Sequence, residues 1–127
     1  TLKGQIVFSA ERAAELMQEN IITDRTVIDV MAFSRMSKSM ETYEKDQLNN
    51  MLWNLIKDYD VVFYVSPKGV EIEDNGVRTT DAHYRNSIDM KIKSIIRMHR
   101  SSIKKLAHLQ GSTENRIKQI KDTLASL

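Results

Sequence analysis

The sequence contains no cysteine. That excludes disulfides, thiolate catalysis and zinc-thiolate sites, and it fits a reducing compartment. Proline occurs once, at Pro67, and glycine only at positions 4, 69, 76 and 111, none of which opens a Gly-x-x-x-x-Gly-Lys-Ser/Thr phosphate loop. An excess of either charge is lacking too. Lys and Arg number 19 against 17 Asp and Glu, so charge by itself points to neither nucleic acid nor membrane. No apolar run approaches the roughly 18 residues of a membrane span, and the beginning has no signal-peptide pattern. Such a chain is expected to be soluble and cytoplasmic, with no membrane and no nucleic acid among its partners. His83, His99 and His108 share no metal-ligand spacing, and Ser66 has no Gly-x-Ser-x-Gly around it.

At 127 residues the chain is the size of a single domain, 1–127. Ile6, Val7, Ala10, Ala13, Ala14 and Met17 keep helical spacing and predict a helix over 5–19. Ile21-Ile22-Thr23 is short and β-branched and reads as a buried strand, after which Thr26 is a candidate cap for a helix over 26–38. From Met40 to Tyr59 a stripe of Leu48, Met51, Leu52, Leu55 and Ile56, with Trp53 beside it, predicts an amphipathic helix. That stripe suits a core and could equally form a dimer seam, so oligomeric state stays open. The seven methionines, mostly at helical spacing, read as core filler.

The clearest strand is "DVVFYVS" at 60–66, with five consecutive apolar residues, as expected of a parallel strand covered on both faces. A helix follows over 81–100 with Ile88, Ile92, Ile95 and Ile96 inward, then a weaker strand over 104–109. Ser112 or Thr113 caps a last helix carrying Ile117, Ile120 and Leu124. The alternation of strands and helices predicts an α/β fold. In such a sheet Asp24-Arg25, Ser66-Pro67 and Gly111-Ser112 fall on one rim, at the carboxyl ends of the strands.

A carboxylate such as Asp24 at a strand end can hold a metal-bound water or accept a proton, and Arg25 beside it can grip a phosphate. Alternatively Asp24 caps the next helix and Arg25 pairs with an acid. Arg78, after the Asn75-Gly76 turn, and Arg85, seven residues on, are spaced to close together over a polyphosphate. Alternatively they pair with Glu71, Glu73, Asp74 or Asp81, contacts that contribute about 0–1 kcal/mol each when exposed. The basic residues from Lys91 to Lys105 read as a solvated helix face or, alternatively, as a surface facing phosphate.

In order and spacing, "IITDRTVIDVMAF", "YDVVFYVSP", "VEIEDNGVRTTDAHYR" and "LQGSTENRIKQI" resemble the later part of P-loop kinases acting on nucleosides or nucleotides. The group is the AAA-type ATP-binding, NadR-like and thymidylate-kinase-like one, and the resemblance covers residues 5–125. It implies a three-layer parallel sheet and ATP-dependent phosphoryl transfer to a nucleoside, nucleotide or similar small hydroxyl acceptor, with ATP and Mg2+ as cofactors. On the matching positions it implies that Asp24 orients the acceptor or the magnesium and that Arg25 binds acceptor or phosphate. Arg78 and Arg85 correspond to arginines of a lid at about 70–90 that closes on the ATP phosphates. Gly111, Ser112 and Thr113 correspond to the loop bordering the adenine, and Asp29 to a support for the Asp24-Arg25 pair.

The departure from these kinases is the missing first strand with its phosphate loop. In the usual strand order it lies between the strands at 21–23 and 60–66, so its absence leaves a gap in the middle of the sheet. Because the chain starts at Thr1 and has that gap, it is expected to be the carboxyl-terminal portion of a longer kinase, inactive by itself. A degenerate relative that keeps only the scaffold is the alternative. A non-catalytic interaction protein and an ATPase without a small acceptor are the rival functions.

Overall fold

The computed structural model describes residues 1–66 and 82–127. Arg78 and the first part of the expected lid lie outside them. Helix α1 (Leu2–Glu15) starts at Thr1, whose hydroxyl oxygen accepts a hydrogen bond from the Gly4 amide at 3.2 Å. The face it turns inward is not its most apolar stripe. Ser9 is buried and Leu2 and Leu16 pack on the core, whereas Ile6, Val7 and Met17 are exposed. Positions 2, 5, 9, 12 and 16 repeat as a helix face should, and Arg12 tolerates this placement because its guanidinium binds Glu15 at 2.5 and 2.8 Å.

Helix α2 (Val27–Met36) is the centre of the core. Val27, Met31 and Ala32 are wholly inaccessible, and α1, α3 (Thr42–Trp53) and α4 (Ala82–Met98) all pack on it. A helix apolar nearly all round has to be covered in this way. Its start is fixed by a capping box. The Thr26 hydroxyl oxygen accepts from the Ile28 amide at 3.0 Å, and Asp29 Oδ2 accepts from the Thr26 amide at 2.8 Å. From α3 onward Leu48, Leu52 and Ile56 are buried as predicted, with Ile56 in a short 3-10 turn after the helix. Met51 and Trp53 point outward, and Trp53 stacks on His99 with ring centroids 5.6 Å apart. The methionines divide: Met31 and Met40 are core, while Met17, Met51, Met90 and Met98 are exposed.

Strands β1 (Val62–Val65) and β2 (Leu106–Leu109) pair in parallel, Val62 opposite Leu106 and Val65 opposite Leu109. On α4, Ile88, Ile95 and Ile96 are buried and Ile92 packs against the cluster, which fits the predicted helix closely. Tyr64 on β1 donates a short hydrogen bond to Asp89 of α4, and Lys93 holds the same carboxylate at 3.2 Å. Helix α5 (Thr113–Ala125) is capped by the Ser112 hydroxyl oxygen, packs back on β2 and buries none of its residues fully. No helix among the described residues is long and apolar enough to cross a membrane.

The predicted strand at 21–23 is not one. Ile21 and Ile22 are exposed and unpaired, and the sheet among the described residues has two strands. The cause lies on β1. The amides of Val62 and Ser66 bond to Lys105 and Leu109, so the even-numbered residues point their peptide groups at β2 and those of Phe63 and Val65 face the opposite side. Nothing among the described residues pairs with that opposite edge. Residues 21–23 do not pair with that edge either.

Candidate functional site

Along β1's unpaired edge runs a groove of ≈ 1030 Å³. The segment from Glu15 to Thr26 forms one wall, residues 58–65 form the other, and Ile120, Leu124 and Leu127 close one side. Its floor is apolar, with Ile28, Val62, Ile92, Ile96 and Leu109. Among the described residues its charged lining is Glu15, Glu19, Asp24, Asp29, Asp58, Asp60 and Asp89 against one cation, Arg25. Glu15, Asp29 and Asp89 have partners within the protein, so the acidic character comes from Glu19, Asp24, Asp58 and Asp60.

Arg25 holds a backbone conformation that side chains other than glycine seldom adopt, with φ at +75°. Its carbonyl accepts from the Thr23 hydroxyl at 3.0 Å, and the capping box clamps the next residue, so the turn is held from both sides. The result aims the guanidinium away from the groove floor and over the ring of Phe33, 5.5 Å from its centroid. Strain of this kind gathers where a side chain must point one way.

On the far side of Arg25 lies a smaller cavity of ≈ 400 Å³ between α1, α2 and the start of α4. Phe8, Phe33 and Tyr84 supply aromatic walls, and Gln5, Arg12 and Asp29 supply polar ones. The two cavities share Arg25 and Asp29. Burial raises the Asp29 carboxyl above its ordinary range, against the lowering effect of the Thr26 amide and the nearby Arg25. Asp29 closes the capping box on Thr26, the residue that follows the Asp24-Arg25 pair.

Asp24 is exposed at the groove rim. It does not cap α2, since Thr26 does. Arg85 lies in the second turn of α4, half-buried and next to Tyr84, and lines neither cavity. Gly111 turns with φ +92°, where a Cβ would also come within 2.8 Å of Asn115 Nδ2. Ser112 caps α5 and Thr113 is its first residue. This loop stands at the carboxyl end of β2, on the rim shared by the end of β1. Arg116, which sequence reasoning passed over, ties the two together by donating to the Gly111 carbonyl at 2.9 Å and to the Ser66 carbonyl at 3.2 Å. It was visible only as the end of "GSTENR". Gln5, Phe8, Phe33 and Tyr84 were missed as well, because three separate elements bring them together.

Among the described residues no group of three or more His, Cys, Asp or Glu could hold a metal ion. Asp24 could give a magnesium ion one carboxylate, which suits an ion that keeps waters and takes its other ligands from phosphates. Among the described residues the groove suits a polyphosphate poorly, with one arginine, Arg25, against the carboxylates of Glu19, Asp24, Asp58 and Asp60. No curated protein and no solved structure matches the chain. The family model for the AAA domain matches residues 3–116. Since that match spans most of the sequence, the chain belongs to the AAA domain family, of the P-loop NTPase type.

Proposed function

We propose that the protein, when intact, transfers a phosphoryl group from ATP to a nucleoside, nucleotide or similar small hydroxyl acceptor, at the junction of the groove and the smaller cavity. The groove carries this reading. The resemblance implies a missing central strand between 21–23 and β1, and there the structure has an open strand edge, two exposed isoleucines and an α5 without buried residues. One inserted strand would cover all three and bring the phosphate loop to the rim where Asp24, Arg25 and Gly111 stand. Backbone amides and a lysine of such a loop would offset the carboxylates that now dominate the groove. ATP with magnesium would supply the activated phosphoryl group. Asp24 would orient the acceptor hydroxyl or a magnesium-bound water, Arg25 would hold acceptor or phosphate, and Arg78 and Arg85 would neutralise the transferring group.

Calorimetry with ATP and magnesium on residues 1–127 and on the longer gene product tests this. Binding by the longer protein alone is expected. Phosphoryl transfer by residues 1–127 would overturn the placement of the phosphate loop outside them. Binding by neither would overturn the kinase reading in favour of an interaction protein, which the exposed apolar face of α1 at Ile6 and Val7 would suit.

A further inference from the structure

The open edge of β1 offers peptide groups as well as side chains to the groove. In the parallel pair with β2 the amides of Val62 and Ser66 are bonded, so the N–H and C=O groups of Phe63 and Val65 face the groove, and among the described residues they meet no partner. Such a row of donors and acceptors on an extended backbone is a template for one more strand, about 4.8 Å away.

The groove walls fix the composition of that strand. Ile28, Ile92 and Ile96 reach the groove from α2 and α4, and Ile120 and Leu124 reach it from α5, so a segment lying on β1 meets apolar surface on both of its faces. An alternating sequence would bury its polar residues there, and a continuous apolar run is required instead. Around the run the lining is acidic. Asp58 and Asp60 precede β1, Asp24 stands at the groove rim, and none of the three has an ion-pair partner among the described residues. Lysine or arginine at the ends of the segment answers these carboxylates. A second copy of the chain is a poor occupant, because its own β1 edge lies within the same walled groove and carries the same acids.

We infer that the groove is a strand-acceptor site, which binds one extended segment, apolar on both faces and basic at its ends, through the peptide groups of Phe63 and Val65. The source of the segment, the strand inserted in the longer chain, rests on the proposed function, while its chemistry follows from the groove alone. Backbone pairing needs no covalent link, so the site takes the segment as a separate peptide as well.

Fluorescence anisotropy on residues 1–127 tests this with a labelled peptide, a run of alternating valine and isoleucine between paired lysines. Two further peptides carry the same run N-methylated throughout, or the same run between paired glutamates. The lysine-flanked peptide is expected to bind, the glutamate-flanked one about tenfold more weakly, and the N-methylated one not measurably. Val65→Pro removes an amide that no β2 carbonyl uses, a change an edge strand tolerates, and should abolish binding with circular dichroism unchanged. The double variant Asp58→Asn, Asp60→Asn leaves the backbone alone and should narrow the difference between the two flanked peptides. No binding of the lysine-flanked peptide, or equal binding of the N-methylated or the glutamate-flanked one, overturns the inference. A dimer of the protein that the peptide disperses overturns it too, since the edge then belongs to a second copy. Peptide binding together with no ATP binding by the longer protein leaves the strand site standing and removes the kinase reading. Phosphoryl transfer by the longer protein with no peptide binding does the reverse.

Discussion

Arg25 joins backbone strain and a proposed hold on acceptor or phosphate in one residue. At φ +75° a Cβ is disfavoured whatever the side chain, so Arg25→Ala keeps the strain and loses the cation, whereas Arg25→Gly loses both. Arg25→Gly is expected to be more stable than Arg25→Ala by about 1 kcal/mol, read from urea unfolding, and both should lose affinity for the acceptor. Equal stability of the two variants would show that the turn is not strained. Asp29 gives a prediction in pH. Its folded-state pKa lies above the ordinary 3.8, so the stability it contributes is full below that value and declines as pH rises through the raised folded value. Asp29→Asn has no such decline. The stability of the variant relative to the native protein should therefore rise as pH increases above about 4, and a difference that stays flat would rule the effect out. Asp24-Arg25 could be picked out from sequence because the pair follows an apolar run, but the φ that aims Arg25 belongs to the folded turn.

Among the elements, α2, α4 and β1 were legible because their apolar residues recur at the period their structure requires. Helix α1 was legible as a helix, but not in the face it buries. Ile6, Val7 and Met17 form the more hydrophobic stripe, yet the helix turns Gln5, Ser9 and Arg12 inward; Gln5 and Arg12 line the smaller cavity, while Ser9 and Arg12 bond within the helix, to the Gln5 carbonyl and to Glu15. Periodicity alone cannot tell a core face from a face awaiting another partner. The link between β1 and α4 also escaped it, for Tyr64 and Asp89 are 25 residues apart. Burial and the Asp89 carboxylate raise the Tyr64 phenol strongly, so it remains a donor to that carboxylate throughout the physiological range. Tyr64→Phe removes the donor and leaves a mostly buried carboxylate with Lys93 alone. A loss of about 1–3 kcal/mol is expected in urea denaturation, and a loss under a few tenths would mean that Lys93 and water suffice.

For the molecule as a whole, the edge of β1 left unpaired among the described residues is where the proposed strand would enter. Amides of 19–25 are expected to exchange with solvent rapidly in residues 1–127, while those of β1 that bond to β2 exchange slowly. In the longer protein that the proposed function requires, the amides of 21–23 should become protected together with those of Phe63 and Val65, as measured by hydrogen exchange. Protection of 21–23 already present in residues 1–127 would count against an inserted strand. The sequence by itself determined the helices around Met31 and Ile95, the parallel character of β1, the cap at Thr26 and the Asp24-Arg25 pair, because each follows from residues close along the chain. Only the tertiary structure decided that 21–23 stays unpaired, which face α1 buries, and that Gln5, Phe8, Phe33 and Tyr84 enclose one cavity. These depend on contacts between distant segments, and a strand exists only where a second backbone lies beside it to satisfy its peptide groups.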